Sequence, residues 1–163
     1  AIDWLRSLGL VSELSPHHEE VLRSNPWLRK YPLLAPSGGT EGERAACIAL
    51  TFPGNFCWST SFEPSFIRTL IYEGYLPMCE STNRGPAPYI LLPKMHQDRC
   101  VLHLADLHVK RAVRKLSNRF QVSSGVSFDR VLAGCLAQHG ENWLYPPIVA
   151  LFRRIFQEGG VGG

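Results

Sequence analysis

The sequence predicts an α+β fold, a small mixed domain with short strands and amphipathic helices. Three observations predict it. Apolar residues recur at helical spacing in separate stretches, most clearly as Ile148, Leu151, Phe152, Ile155 and Phe156. Short apolar runs bounded by Pro, Gly and polar turns read as strands at 47–52, 89–92 and 99–104. Between them, Leu107–Leu116 (LHVKRAVRKL) separates into two helical faces, with Val109, Ala112, Val113 and Leu116 on one and Lys110, Arg111, Arg114 and Lys115 on the other.

Taken in order, residues 1–46 are expected to form an arm. Its apolar pieces (Trp4, Leu5 and Leu8; Val21 and Leu22; Trp27 and Leu28) are broken by Pro16, Pro26, Pro32 and Pro36. Pro36–Glu43 (PSGGTEGE) reads as a flexible link, and Glu19, Glu20, Glu41 and Glu43 as solvent-facing. Residues 47–163 follow as the domain proper. Cys47–Phe52 (CIALTF), uniformly apolar and stopped by Pro53-Gly54, reads as a short buried strand. Pro64 suits the first turn of a helix striped by Phe66, Ile67, Leu70 and Ile71, with Gly74 where a C-terminal cap belongs.

Ser81–Pro88 is a loop, after which Tyr89–Leu92 and Arg99–Leu104 are expected as strands joined by the PKMHQD turn. The basic helix follows, and Phe120–Ser123 alternates like another strand. Ser127 is placed to cap a helix striped by Phe128, Val131, Leu132, Cys135 and Leu136. Pro146-Pro147 opens the last helix and Gly159-Gly160 ends it.

Composition bounds the function. The 163 residues have room for a real core, and 45% hydrophobic with 19% charged content is that of a globular chain. A net charge of only +3 means that any nucleic-acid role must come from local clustering. No apolar run reaches the length of a membrane span, so no membrane is expected among the partners. Five cysteines without a CxxC pair are expected to be reduced and mostly buried. They point to the cytoplasm, or alternatively to a mitochondrial or other organelle matrix. A start at Ala1, with no secretory layout, suggests a processed or trimmed product.

Four cations on one helix face are a footprint for a polyanion or, alternatively, a solvated face. In the loop Gln138–Pro147 (QHGENWLYPP), Trp143 and Tyr145 are candidates either for stacking on a ligand or for closing the core between two helices. His96, Cys100, His103 and His108 fit no zinc spacing, and no metal or other cofactor is expected. Cys135 and His139 lie one turn apart, but the thiol falls within an apolar stripe and reads as core. No phosphate-cradling Gly-rich loop is present, and nothing resembles a self-contained active site.

The ordered blocks PSFIRTLIYEGYLPM, PYILLPKMHQDRCVL, DLHVKRAVRKL, FQVSSGVSFDRVLAGC and NWLYPPIVALFRRIFQEGG resemble the leucyl/phenylalanyl-tRNA–protein transferase family, collinearly from about Trp58 to Gly160. The resemblance implies the N-terminal domain of that family and the start of its acetyltransferase-like domain. It implies an aminoacyltransferase activity: Leu or Phe passes from aminoacyl-tRNA to the N-terminal amine of an acceptor protein beginning with Arg or Lys, marking it for degradation. Arg111, Arg114 and Lys115 match the family's tRNA-binding positions, and Lys110 extends them. Trp143 and Met78 match its aminoacyl-adenosine pocket, and Arg99 the Arg of its SPDPR-like block.

Two motifs depart from the family pattern. FPW becomes Leu76-Pro77-Met78, and WWSPDPR becomes Pro93–Arg99 without its tryptophans. The segment FQEGG leads, in the family, into the domain that carries the catalytic carboxylates, so the catalytic residues are expected outside this chain. A second reading from a different class is a non-catalytic RNA-binding or scaffold module within a larger assembly. A third is a protein-only module whose basic helix meets an acidic partner.

Overall fold

The computed structural model describes residues 2–82, 85–98, 100–121 and 125–159. It has the α+β class that the sequence predicts, with seven α-helices and a two-stranded antiparallel sheet among the described residues. None of the described helices is long and apolar enough to cross a membrane.

The first segment supplies core. Helix α1 (Ile2–Ser7) buries Leu5, and α2 (Pro16–Ser24) buries Val21 and Leu22. A capping box starts α2: the Ser15 hydroxyl accepts from His18 N–H, while Ser15 N–H donates to His18 Nδ1 at 3.2 Å. A 3₁₀ turn (Pro26–Lys30) buries Leu28, and residues 32–34 then run beside 56–59, with Leu34 N–H donating to Trp58 C=O at 2.9 Å.

The strand expected at 47–52 is instead the second half of helix α3 (Glu41–Thr51), so the boundary expected at residue 46 falls inside a helix. Uniform apolarity conceals a helical period: Ala45, Ile48 and Phe52 are buried, whereas Leu50 is 87% exposed. The expected link is folded as well. The Glu41 carboxylate turns back to accept from Gly39 N–H (2.9 Å) and the Ser37 hydroxyl (3.1 Å), so it is not simply solvent-facing.

Helix α4 (Pro64–Tyr72) buries Phe66, Ile67 and Leu70, but leaves Ile71 44% exposed. It ends in a Schellman motif. Gly74 adopts a φ of +88°, its N–H donating to Ile71 C=O, and Tyr75 N–H donates to Leu70 C=O.

Strand β1 (Leu76–Ser81) pairs with β2 (Tyr89–Lys94) from Leu76↔Lys94 to Ser81↔Tyr89. The partner of β2 is therefore β1, not the strand expected at 99–104. Of that expected strand, Arg99 lies outside the described residues; the rest is exposed irregular chain leading into a 3₁₀ turn at Leu104–Asp106. Leu91 exchanges both backbone hydrogen bonds with Ser59, so alternate groups of β2 face the 56–59 segment. Pro77↔Pro93 is accordingly a non-hydrogen-bonded pair, and neither ring removes a β1–β2 ladder bond.

Helix α5 (Arg111–Ser117) begins four residues later than the amphipathic pattern predicts, with Lys110 as its N-cap residue. Its apolar arc is not buried: Val113 is 56% and Leu116 43% exposed. Of the strand expected at 120–123, Phe120 and Gln121 are exposed non-strand chain, and Val122 and Ser123 lie outside the described residues.

Helix α6 (Phe128–His139) buries Leu132 and half-buries Phe128, Cys135 and Leu136, while Val131 faces solvent. Ser127 precedes it without a side-chain capping bond, contrary to expectation. Helix α7 (Pro146–Glu158) buries Ile148 and Leu151 within the same core as α4 and the sheet. Arg68 on α4 reaches the C-terminal end of α7, donating to Glu158 at 3.1 Å.

Candidate functional site

A cavity of about 470 Å³ opens between α6 and α7. Its apolar wall is Phe128, Leu132 and Cys135 from α6, Trp143 and Leu144 from the connecting loop, and Phe152 from α7. His139, Glu141 and Asn142 form a polar rim. The volume lies in the range of roughly 300–1,000 Å³ usual for small-molecule sites, which are likewise mostly apolar with a few polar groups.

The loop backbone sets the Trp143 position. Gly140 ends α6 with a φ of +70°, which an L side chain rarely adopts. Asn142 follows at a φ of +38°, a conformation that Asn tolerates better than most residues. Trp143 then meets Phe152 edge to face, at 6.4 Å between centroids and 77° between planes. Phe128 stacks on Phe156 at 4.9 Å and 20°. On the outer surface, Arg153 of α7 donates through Nε (3.0 Å) and Nη2 (2.8 Å) to one oxygen of Asp129 on α6. Exposed pairs of this kind contribute little stability.

Trp143 packs against the core between the two helices, as one of the two alternatives expected, and its ring also lines the cavity. Met78 does not join it in the cavity wall; it is half-buried on β1, opposite Leu92. Tyr145 sits beside Tyr89 at 5.7 Å, and its hydroxyl titrates above the usual phenol value through desolvation first and Glu80 next. Lys110, Arg111, Arg114 and Lys115 are all exposed, and among the described residues none forms an ion pair with a carboxylate. Arg99 lies outside the described residues.

Cys135 and His139 both line the cavity, but no hydrogen bond joins them. The expectation of mostly buried thiols holds for Cys57 and Cys79; Cys135 is half-buried, and Cys47 and Cys100 are exposed. Among the described residues, no three of His, Cys, Asp or Glu are grouped to hold one metal ion. Sequence reasoning singled out Trp143 but not the aromatic pairing that frames it. The signal was available: Phe128, Leu132 and Cys135 share one stripe, and Phe152 opens the matching turn of α7.

Comparison of the chain with protein-family models, with curated proteins and with solved structures finds no match.

Proposed function

We propose that this chain binds aminoacyl-tRNA as part of a leucyl/phenylalanyl-tRNA–protein transferase. The observation that carries the reading is the cavity walled by Phe128, Trp143 and Phe152, together with its polar rim. An aliphatic or benzyl side chain gains free energy by entering an apolar wall, and the rim offers partners for the ribose and base of the terminal adenosine. The free cations at Lys110, Arg111, Arg114 and Lys115 supply the charge that a phosphate backbone requires.

In the proposed reaction, the acceptor's N-terminal α-amine attacks the aminoacyl ester carbonyl. The new amide bond forms as the ester bond to the tRNA 3′-oxygen breaks, and the proton lost by nitrogen reaches that oxygen. The contribution of this chain is positioning: it holds the ester's side chain and the tRNA backbone so that the amine meets a fixed carbonyl. No residue of the chain is assigned to the proton transfer.

The test is tRNA binding across a salt series, comparing the native chain with Arg111→Ala/Arg114→Ala/Lys115→Ala. Loss of the three cations is expected to flatten the log–log salt slope by about two to three units. An unchanged slope excludes α5 as the docking face. One observation favours the alternative of a non-catalytic RNA-binding module: Met78, expected in the aminoacyl pocket, is not in the cavity wall. On that alternative, leucylated and deacylated tRNA bind equally, and no transfer accompanies binding.

A further inference from the structure

A second cavity, of about 530 Å³, is lined from α1, the chain after it, α2 and α3, and shares no residue with the one between α6 and α7. Arg44 of α3 and Ser12 both line it. Arg44 is half-buried, yet its guanidinium makes one hydrogen bond among the described residues, a long one of 3.4 Å from Nη1 to Ser12 Oγ. No carboxylate among the described residues pairs with it. A guanidinium carries five N–H donors in a fixed fork, so most of the capacity of Arg44 is unused.

The local backbone fixes both groups. Gly9 follows α1 at a φ of +67°, and the chain then turns so that Ser12 N–H donates to Leu33 C=O at 3.1 Å. Ser12 is 8% exposed, and its Oγ accepts from Ala35 N–H at 2.9 Å as well as from Arg44. Among the described residues that hydroxyl donates to no acceptor, so its proton remains available. Glu41, one turn before Arg44 on α3, is engaged by Ser37 and Gly39 instead of neutralising it. Glu13 lines the cavity but is exposed and forms no ion pair among the described residues. Arg6 adds a second positive charge to the lining. His18 also lines it, with Nδ1 accepting from Ser15 N–H and Nε2 lying 3.3 Å from Thr60 Oγ1.

We infer that this cavity binds the phosphate group of a small phosphomonoester. A phosphate accepts two parallel bonds from the Arg44 fork and presents a third terminal oxygen to the adjoining Ser12 hydroxyl. A carboxylate satisfies the fork but has no third oxygen for the hydroxyl. The volume lies within the range of roughly 300–1,000 Å³ usual for organic ligands, and Val11, Ala35 and Pro36 give the organic body an apolar wall. Two arginines against one exposed glutamate leave the lining positive, as a dianion requires. The inference uses none of the residues assigned to tRNA docking or to the aminoacyl pocket and does not rest on that reading.

The experiment titrates the whole chain with phenyl phosphate, inorganic phosphate and benzoate by calorimetry, with thermal melts confirming that each variant is folded. Phenyl phosphate is expected to bind tightest, inorganic phosphate to compete with it more weakly, and benzoate to bind about tenfold or more below it. Arg44→Gln should weaken phenyl phosphate about tenfold or more, and Arg44→Lys, which keeps the charge but loses the fork, should recover only part of the loss. Glu13→Gln, an exposed change that removes the opposing charge, should tighten binding about twofold. The Arg111→Ala/Arg114→Ala/Lys115→Ala variant should bind phenyl phosphate as the native chain does.

Benzoate binding as tightly as phenyl phosphate overturns the assignment to phosphate. Phenyl phosphate binding that survives Arg44→Gln, that disappears with the α5 cations, or that is absent at millimolar concentration overturns the site. The tRNA reading is untouched by any of these results, since its own test is the salt slope of tRNA binding.

Discussion

Trp143 stands edge-on to Phe152 at 6.4 Å, and that contact makes the loop after α6 one wall of the cavity. Because both rings line the cavity, replacing either changes the site as well as the packing. Trp143→Ala should lower stability by about 1–3 kcal/mol, since the ring is half-buried. Leu151→Ala on the same helix removes a side chain only 2% exposed and should cost about 2–5 kcal/mol. Urea unfolding checks both, with the midpoint moving and the slope constant. A larger loss for Trp143 than for Leu151 would mean that the loop is core and not wall.

Tyr75 carries a buried hydrogen-bond chain. Its hydroxyl donates to Ala45 C=O at 2.8 Å and accepts from the Cys57 thiol, whose Sγ lies 4.0 Å from the Tyr75 hydroxyl oxygen. This ties α3 to the chain after α4 and to the segment beside β2. Tyr75→Phe keeps the ring but leaves the carbonyl of Ala45 without that donor, at a cost of about 1–3 kcal/mol. Equilibrium unfolding of the variant measures it directly, and a neutral substitution would show the chain to be dispensable.

The buried thiols set an alkaline limit. Burial, partly offset for Cys57 by its hydrogen bond with Tyr75, pushes both Cys57 and Cys79 up to about 12, against an ordinary value of 9.0. Between those values the unfolded chain releases protons that the folded chain keeps. Stability should therefore hold below pH 9 and fall as the pH climbs towards 12. Unfolding midpoints measured at rising pH check the direction. A thiol reagent at neutral pH should label Cys47 and Cys100 first and reach Cys57 and Cys79 only on unfolding.

His18 sets a limit on the acid side. Its Nδ1 accepts from Ser15 N–H, and burial, then His17, lower its affinity for a proton below that of an ordinary imidazole at 6.5. The unfolded chain binds the proton more readily, so this contribution is present above pH 6.5 and lost as the pH falls below it. Ser15→Ala, which removes the hydroxyl half of the cap and keeps the Ser15 N–H on His18 Nδ1, should cost about 1 kcal/mol at neutral pH. The acid sensitivity of His18, set by burial and then by His17, should persist in that variant, and melts at paired pH values check it.

Strong helical periods were legible in the sequence. The α4 stripe, its Gly74 cap and the α7 stripe stand largely where the residue spacing puts them, because a Pro start and a helical apolar repeat determine them locally. Cys47–Phe52 misled for a physical reason: an alanine-rich helix without charges in its second half has no visible polar face. The strand β1 was obscured by Pro77, whose tolerance depends on falling opposite Pro93 in a non-hydrogen-bonded pair. Residues 1–46 look broken by prolines along the chain, yet Leu5, Val21, Leu28 and Leu34 converge only through long-range pairing that spacing cannot display. At the site, Trp143 was legible as an aromatic on a Gly-bounded loop. The exposed apolar arc of α5 was not, because periodicity shows which residues share a face but not whether that face is covered.

The most direct test of the central claim compares the affinity of the chain for leucylated and deacylated forms of the same tRNA, with Trp143→Ala beside the native protein. The cavity reading predicts that the native chain prefers the leucylated form by about tenfold, the gain from burying one aliphatic side chain, and that Trp143→Ala loses most of this preference while still binding tRNA. Equal affinity for the two forms would contradict it, because an aminoacyl pocket that ignores the amino acid is not one.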